Sequence, residues 1–104
     1  MYVFVYVTAS SLEEARKIAR HVLEKKLAAC VNVFPISSMF WWEGRIENAL
    51  EFAMIIKTKS EKLSELKEEI KSLHSYSTPC ICAFAVEDGL REFLNWIDET
   101  VEEE

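Results

Sequence analysis

Apolar residues fall at consecutive positions in "YVFVYVT" (2–8), the pattern of a strand covered on two faces rather than one. Ser10 with Glu13, or Ser11 with Glu14, then offers a capping box, and Leu12, Ala15, Ile18, Ala19, Val22 and Leu23 follow at helical spacing. The spacing predicts a helix over about 11–25. "LAACVNVF" (27–34) reads as a second strand that ends or bends at Pro35, whose missing N–H suits an edge or a bulge. After "PISS" the strand resumes as "MFWWEGRIE" (39–47), with Gly44 expected as a bulge, and "NA" (48–49) turns the chain into "LEFAMIIKT" (50–58). The result is a long central hairpin. Thr58 and Glu61 offer another capping box, and Leu63, Leu66, Ile70 and Leu73 keep a 3, 4, 3 spacing down a helix to about 73. "HSYSTP" (74–79) is a loop, "CICAFAV" (80–86) a fourth strand, and Asp88 is placed to cap a last helix carrying Leu90, Phe93, Leu94, Ile97 and Val101.

The order β-α-β-β-α-β-α predicts an α+β fold of ferredoxin-like type (βαββαβ) with one helix appended at the C-terminus. No internal repeat or linker interrupts it, so residues 1–104 read as one domain. Right-handed crossovers place both connecting helices on one face of the sheet and leave the other bare. Yet "YVFVYV", "AMII" and "CICAFAV" ask for cover on both faces. Trp41 and Trp42 add to the demand, because neighbours on a strand point to opposite faces and cannot share a layer. Each large aromatic buries roughly 150–250 Å2, worth about 4–6 kcal/mol at ~25 cal/mol per Å2. The pattern therefore predicts an obligate oligomer, with the open face or the hairpin around Phe40 and Trp41 packed on neighbours. One tryptophan of the pair should face the home core and the other a neighbouring subunit.

Half of the 104 residues are hydrophobic and 29% are charged, an ordinary balance for a globular chain. The 12 Lys and Arg against 18 Asp and Glu give a net charge of −6, which argues against a nucleic-acid or anionic-membrane partner. The apolar start has no positively charged lead and is far shorter than the roughly 20 residues of a spanning helix, so a cytoplasmic location is expected. Three cysteines, an odd number, do not make a secreted disulfide framework and are expected as reduced thiols. Only 2 Gly and 2 Pro, no Gln, and many Glu and Lys go with short loops and a hot habitat. No nucleophile–base motif, Gly-rich phosphate loop or paired zinc spacing occurs, so no enzyme is expected.

Several stretches, in order and in spacing, resemble the CutA-type divalent-cation tolerance proteins over nearly the whole chain. They are "EKKLAACVN" (24–32), "FWWEGRIE" (40–47), "IIKT" (55–58), the "LH-Y-TP" frame (73–79) and "FLNW" (93–96). The resemblance implies a ferredoxin-like homotrimer built through the long hairpin, a role in tolerance to copper and other divalent cations, and no catalytic activity. It also implies likeness in shape to the trimeric PII nitrogen-signalling proteins, whose ligands sit in clefts between subunits. One departure is clear: the family usually reads His-Pro-Tyr followed by an acidic residue or Gln, whereas this loop reads His74, Ser75, Tyr76, Ser77. With no carboxylate at 77, a metal here would be soft or borderline and held by histidine and sulfur.

His74 opens the loop before Pro79. Its imidazole is either a copper or zinc ligand in a cleft between subunits, or a helix-end residue that meets the dipole and packs on Tyr76. Cys30, inside the family-matching "ACVN", is the best single thiol, either a further ligand or an inert core residue. Cys80 and Cys82 share a strand face about 6.6 Å apart by strand rise. They reach one metal only if both sulfurs converge to within about 4.6 Å, so small buried hydrophobes is the better reading. Glu51 and Lys57 share a face of the third strand, as an ion pair at a subunit seam or as a polar rim that takes an anion. Trp42 and Tyr76 either wall the same cleft or pack at an interface. His21, beside Arg20, is expected to be solvated, and the "EEE" tail to be a frayed end. A trimeric tolerance protein that binds copper or another divalent metal leads, against a PII-like module with a small anionic ligand in the intersubunit cleft, or a ligand-free trimeric scaffold.

Overall fold

Burial alternates strictly along β1 (Tyr2–Ala9): Val3, Val5, Val7 and Ala9 are buried, whereas Tyr2, Phe4, Tyr6 and Thr8 are half-covered. The computed structural model describes residues 1–102, so the part of the expected tail at Glu103 and Glu104 lies outside the described residues. After β1 come α1 (Leu12–Glu24), β2 (Cys30–Trp42), β3 (Arg45–Lys59), a 3-10 turn (Ser60–Lys62), α2 (Leu63–Leu73), β4 (Ile81–Ala85) and α3 (Arg91–Val101). The strands lie in the order β2-β3-β1-β4 with every neighbour antiparallel, which is the ferredoxin-like arrangement with a helix appended.

The apolar stripes of the two connecting helices explain the core. Ala15, Ile18 and Val22 of α1 and Leu66 and Ile70 of α2 close over Val5, Val7, Met54 and Ile56, which all point to one face of the sheet. Helix α1 begins where Ser11 Oγ accepts the Glu14 N–H at 3.1 Å. The Glu14 carboxylate reaches back one residue further than a capping box requires, to the N–H and hydroxyl of Ser10. His21 is not simply solvated: its Nε2 lies 2.6 Å from the Glu69 carboxylate and ties α1 to α2.

The hairpin differs from its expected form. Glu43 and Gly44, both at positive φ (50° and 79°), make a two-residue turn, the form whose twist suits antiparallel strands. Trp42 pairs with Arg45, while Asn48 and Ala49 pair with Met39 and Ser38 inside the ladder. Gly44 is thus a turn residue rather than a bulge, and the chain reverses earlier than residues 48–49. Strand β2 also runs unbroken through Pro35, opposite Phe52. It lies at the sheet edge, where a missing donor is tolerated.

Because the strands continue past the helices, the hairpin forms a long arm, and the molecule measures 46 × 26 × 21 Å. Trp41 is 72% and Trp42 58% exposed on this arm. Neither faces the home core, contrary to the expectation for one of them, since no helix reaches that far along the hairpin.

Two expected caps serve other ends. Thr58 remains in β3, fully buried, and its hydroxyl donates to the Leu27 carbonyl at 2.8 Å. Asp88 accepts the Gly89 N–H, and α3 starts after Leu90 without a side-chain cap. Helix α3 in turn covers one end of the sheet face expected to be bare. Its Leu94, Ile97 and Val101 pack with Ala29, Tyr2 and Phe93, and its Asp98 accepts from Tyr2 Oη and pairs with Lys59 at 2.8 Å. The remaining length of that face, carrying Cys82 and Phe84 of β4, stays exposed.

Candidate functional site

In this register, Ile36, Phe40 and Trp42 of β2 lie on the same face as Glu51 and Glu47 of β3. The loop after α2 comes against that face and bounds an open cleft of about 980 Å3. Phe40, Trp42, Glu47, Glu51, Tyr76 and Cys80 are among its walls, and among the described residues no Lys or Arg lines it. Three of the four residues expected at a cleft, Trp42, Glu51 and Tyr76, are therefore brought together.

Lys57 is not with them. It shares the strand face of Glu51 but stands six residues on, roughly 20 Å by strand rise. Its ammonium lies 5.4 Å from the Phe4 ring centre and 5.5 Å from that of Phe93, under α3. Within one chain Glu51 and Lys57 stand too far apart to pair, and among the described residues no basic side chain rims the cleft.

Glu51 is only 8% exposed and accepts a hydrogen bond from Tyr76 Oη at 2.7 Å. Burial first, then this bond and the charges of Glu51 and Glu14, push the Tyr76 phenol up to about 12. A raised phenol keeps its contribution below its ordinary pKa of about 10 and loses it as pH climbs through about 12. Tyr76→Phe is expected to remove the tyrosine absorbance step near that upper value. It should also cost about 1–3 kcal/mol in urea unfolding, because Glu51 stays buried without its donor. An unaltered alkaline titration with unaltered stability would refute the pairing.

His74 holds the loop rather than facing the cleft as a ligand. Its side chain is fully buried, Nε2 donates to the Thr8 carbonyl at 2.7 Å, and Nδ1 accepts the Tyr76 N–H at 3.1 Å. These partners assign the neutral Nε2–H tautomer and leave neither nitrogen a free lone pair. The ring also packs against Tyr76, with centres 4.8 Å apart.

Cys30 is half-buried at the start of β2, opposite Lys57. Cys80 and Cys82 are exposed, not buried hydrophobes, because no helix covers the β4 end of the open face. Burial of the thiol itself and then neighbouring Cys82 push Cys80 up from the ordinary thiol range. His74 and the three cysteines do not converge, and among the described residues no three His, Cys, Asp or Glu are grouped to hold a metal.

One residue escaped the sequence reading. Glu14 was visible only as a local cap, yet its carboxylate takes the Ser75 N–H at 2.6 Å and the Ser75 hydroxyl at 3.1 Å, across 61 positions. It anchors the loop that presents Tyr76. The signal was the pair Ser10 and Ser11 ahead of Glu14, with two candidate caps for one helix start.

Comparison with known proteins agrees with this architecture. The family model described as CutA1 divalent ion tolerance protein matches residues 3–100. A periplasmic divalent cation tolerance protein CutA from Archaeoglobus fulgidus, of solved structure, is 68% identical with a TM-score of 0.97, over 98% of this chain and 100% of that one. The divalent-cation tolerance protein CutA of Thermotoga maritima is 46% identical over 95% of this chain and 98% of its own length. The solved CutA1 of Oryza sativa is 36% identical with a TM-score of 0.95, over 99% of this chain and 95% of that one. Matched end to end by tolerance proteins and by no enzyme among these, the chain belongs to the CutA family of divalent-cation tolerance proteins.

Proposed function

We propose that this chain acts in divalent-cation tolerance as a cytoplasmic homotrimer that engages copper or another divalent ion where subunits meet. The observation that carries the reading is the hairpin arm, on which Met39, Trp41, Trp42, Ile46 and Leu50 are each more than half exposed. Met39, Trp41, Ile46 and Leu50 share one face of the arm and Trp42 lies on the other, so both faces leave large apolar side chains wet, more than a monomer usually exposes. Self-association covers them, and a closed cyclic assembly covers them on every copy alike.

The wall chemistry of the cleft favours a cation. Glu47 and Glu51 line it without a basic side chain, and Lys57, the cation an anionic metabolite would need, lies at the far end of β3. This weighs against the PII-like alternative of an anionic ligand. Among the described residues one chain offers no complete metal cage, so a metal held by three or more of them draws on two subunits.

Sedimentation of the reduced protein at low concentration tests the assembly. Three chains of 12.1 kDa, about 36 kDa together, are expected. A folded species of one chain would overturn the proposal, because clefts shared between subunits would not exist.

A further inference from the structure

We propose that His74 is a proton-sensitive latch: a second proton on its imidazole releases the loop over 74–79 and withdraws Tyr76 from Glu51 at the wall of the cleft. The side chain is fully buried within one chain, so the contacts that build the latch are the same in a single chain and in an assembly.

Both ring nitrogens are committed. Nε2 donates to the Thr8 carbonyl near the end of β1 at 2.7 Å, and Nδ1 accepts the Tyr76 N–H at 3.1 Å. A neutral ring serves both partners, but an imidazolium carries N–H on each nitrogen and accepts nothing. The Thr8 bond therefore survives a second proton, whereas at Nδ1 two donors would face each other. The nearest acceptor for the new N–H is the Glu14 carboxylate, with Oε2 3.8 Å from Nδ1. That gap is too long for a hydrogen bond, so closing it requires the ring or the loop to move. The same carboxylate already takes the Ser75 N–H and hydroxyl. Protonation thus frees the Tyr76 amide and sets the ring against Ser75 for one acceptor.

Tyr76 carries the change to the cleft. Its ring packs on His74 with centres 4.8 Å apart, and its hydroxyl donates to Glu51 at 2.7 Å. A shift of its backbone breaks that bond and leaves the Glu51 carboxylate without its donor.

No other group of this network is placed to give the same response. From α1 the ring faces Glu14, and from its own loop Tyr76 with Glu51 of β3 behind it. From β1 it meets the Thr8 carbonyl, and its backbone N–H bonds to the Lys71 carbonyl of α2. Against the penalty of burial, the N–H groups and hydroxyls of Ser75 and Ser10 hold the Glu14 carboxyl at about 2. Burial and then Glu51 hold the Tyr76 phenol at about 12. Neither changes charge between about pH 5 and about pH 8, the range in which a histidine can.

The test is nuclear magnetic resonance on the full-length, assembled protein, labelled with 15N and 13C and taken from about pH 8 to about pH 5. The chain has two histidines, so a His21→Gln variant assigns the imidazole signals. At the upper end His74 should show the Nε2–H tautomer with Nδ1 as acceptor. As the ring gains its proton, the protection factor of the Tyr76 amide should fall about tenfold or more, the factor of one net hydrogen bond. The Tyr76 Cζ shift should move in the same step. In His74→Gln, which takes no proton, neither signal should depend on pH over this range. A His74 ring that stays neutral throughout, or one that charges while Tyr76 is unchanged, would overturn the latch. So would a Tyr76 step that persists in His74→Gln, or one that coincides with loss of the far-UV circular dichroism, which marks global unfolding. None of these readouts involves a metal, so the outcome stands apart from that of the cation-tolerance reading.

Discussion

Trp41→Glu is expected to release the proposed trimer into folded single chains of 12.1 kDa at concentrations where the parent stays assembled. Trp41 lies on the arm at 72% exposure, outside both buried clusters. The substitution therefore removes nothing from the core of the chain. At an interface it removes indole burial worth up to roughly 4 kcal/mol, and it places a carboxylate where several kcal/mol of desolvation goes uncompensated. A cyclic assembly repeats the loss at every boundary, and each ~1.4 kcal/mol is tenfold in the equilibrium. Sedimentation should show the small species while far-UV circular dichroism stays that of the parent. Trp41→Phe should remain assembled. A Trp41→Glu variant that sediments like the parent would show that the arm is not the contact surface.

The same arm shows where the sequence was legible. The order of elements and the demand for cover on both sheet faces follow from runs such as "YVFVYV", because the period-2 pattern reports burial on each face directly. The turn at Glu43 and Gly44 was not legible. Glutamate carries no strong preference for positive φ, so "EG" lacks the signal that "NG" or "DG" gives. Placing the turn too late also hid the register that puts Phe40 opposite Glu47 and Ile36 opposite Glu51, and with it most of the cleft. Trp42, Glu51 and Tyr76 line one cleft of the chain, as their expected grouping requires. Lys57 shares the face of Glu51 but stands well along it, because a shared strand face says nothing of distance along the strand. The cover given by α3 depended on Asp98 meeting Tyr2 and Lys59, a contact across 96 positions for Tyr2 that no local pattern announces.

Glu14 is expected to govern acid stability. Its side chain is 13% exposed, and burial alone would raise its pKa. The N–H groups and hydroxyls of Ser75 and Ser10 outweigh that penalty and hold it at about 2, against 4.5 for an ordinary glutamate. The difference corresponds to about 3 kcal/mol. A depressed carboxyl contributes fully above its unfolded pKa and loses the contribution as pH falls, here between 4.5 and about 2. Thermal unfolding of the parent should fall steeply through that window. Glu14→Gln keeps the shape but not the charge, so it should cost most of the ~3 kcal/mol at neutral pH, lower Tm by roughly 10 °C, and flatten the acid limb. The family's usual proline in place of Ser75 has no N–H to give, so this anchor belongs to the loop as this chain builds it. A Glu14→Gln variant whose melting curve follows the parent's at every pH would mean that the carboxylate is solvated. Tyr76 would then be held against Glu51 by His74 alone.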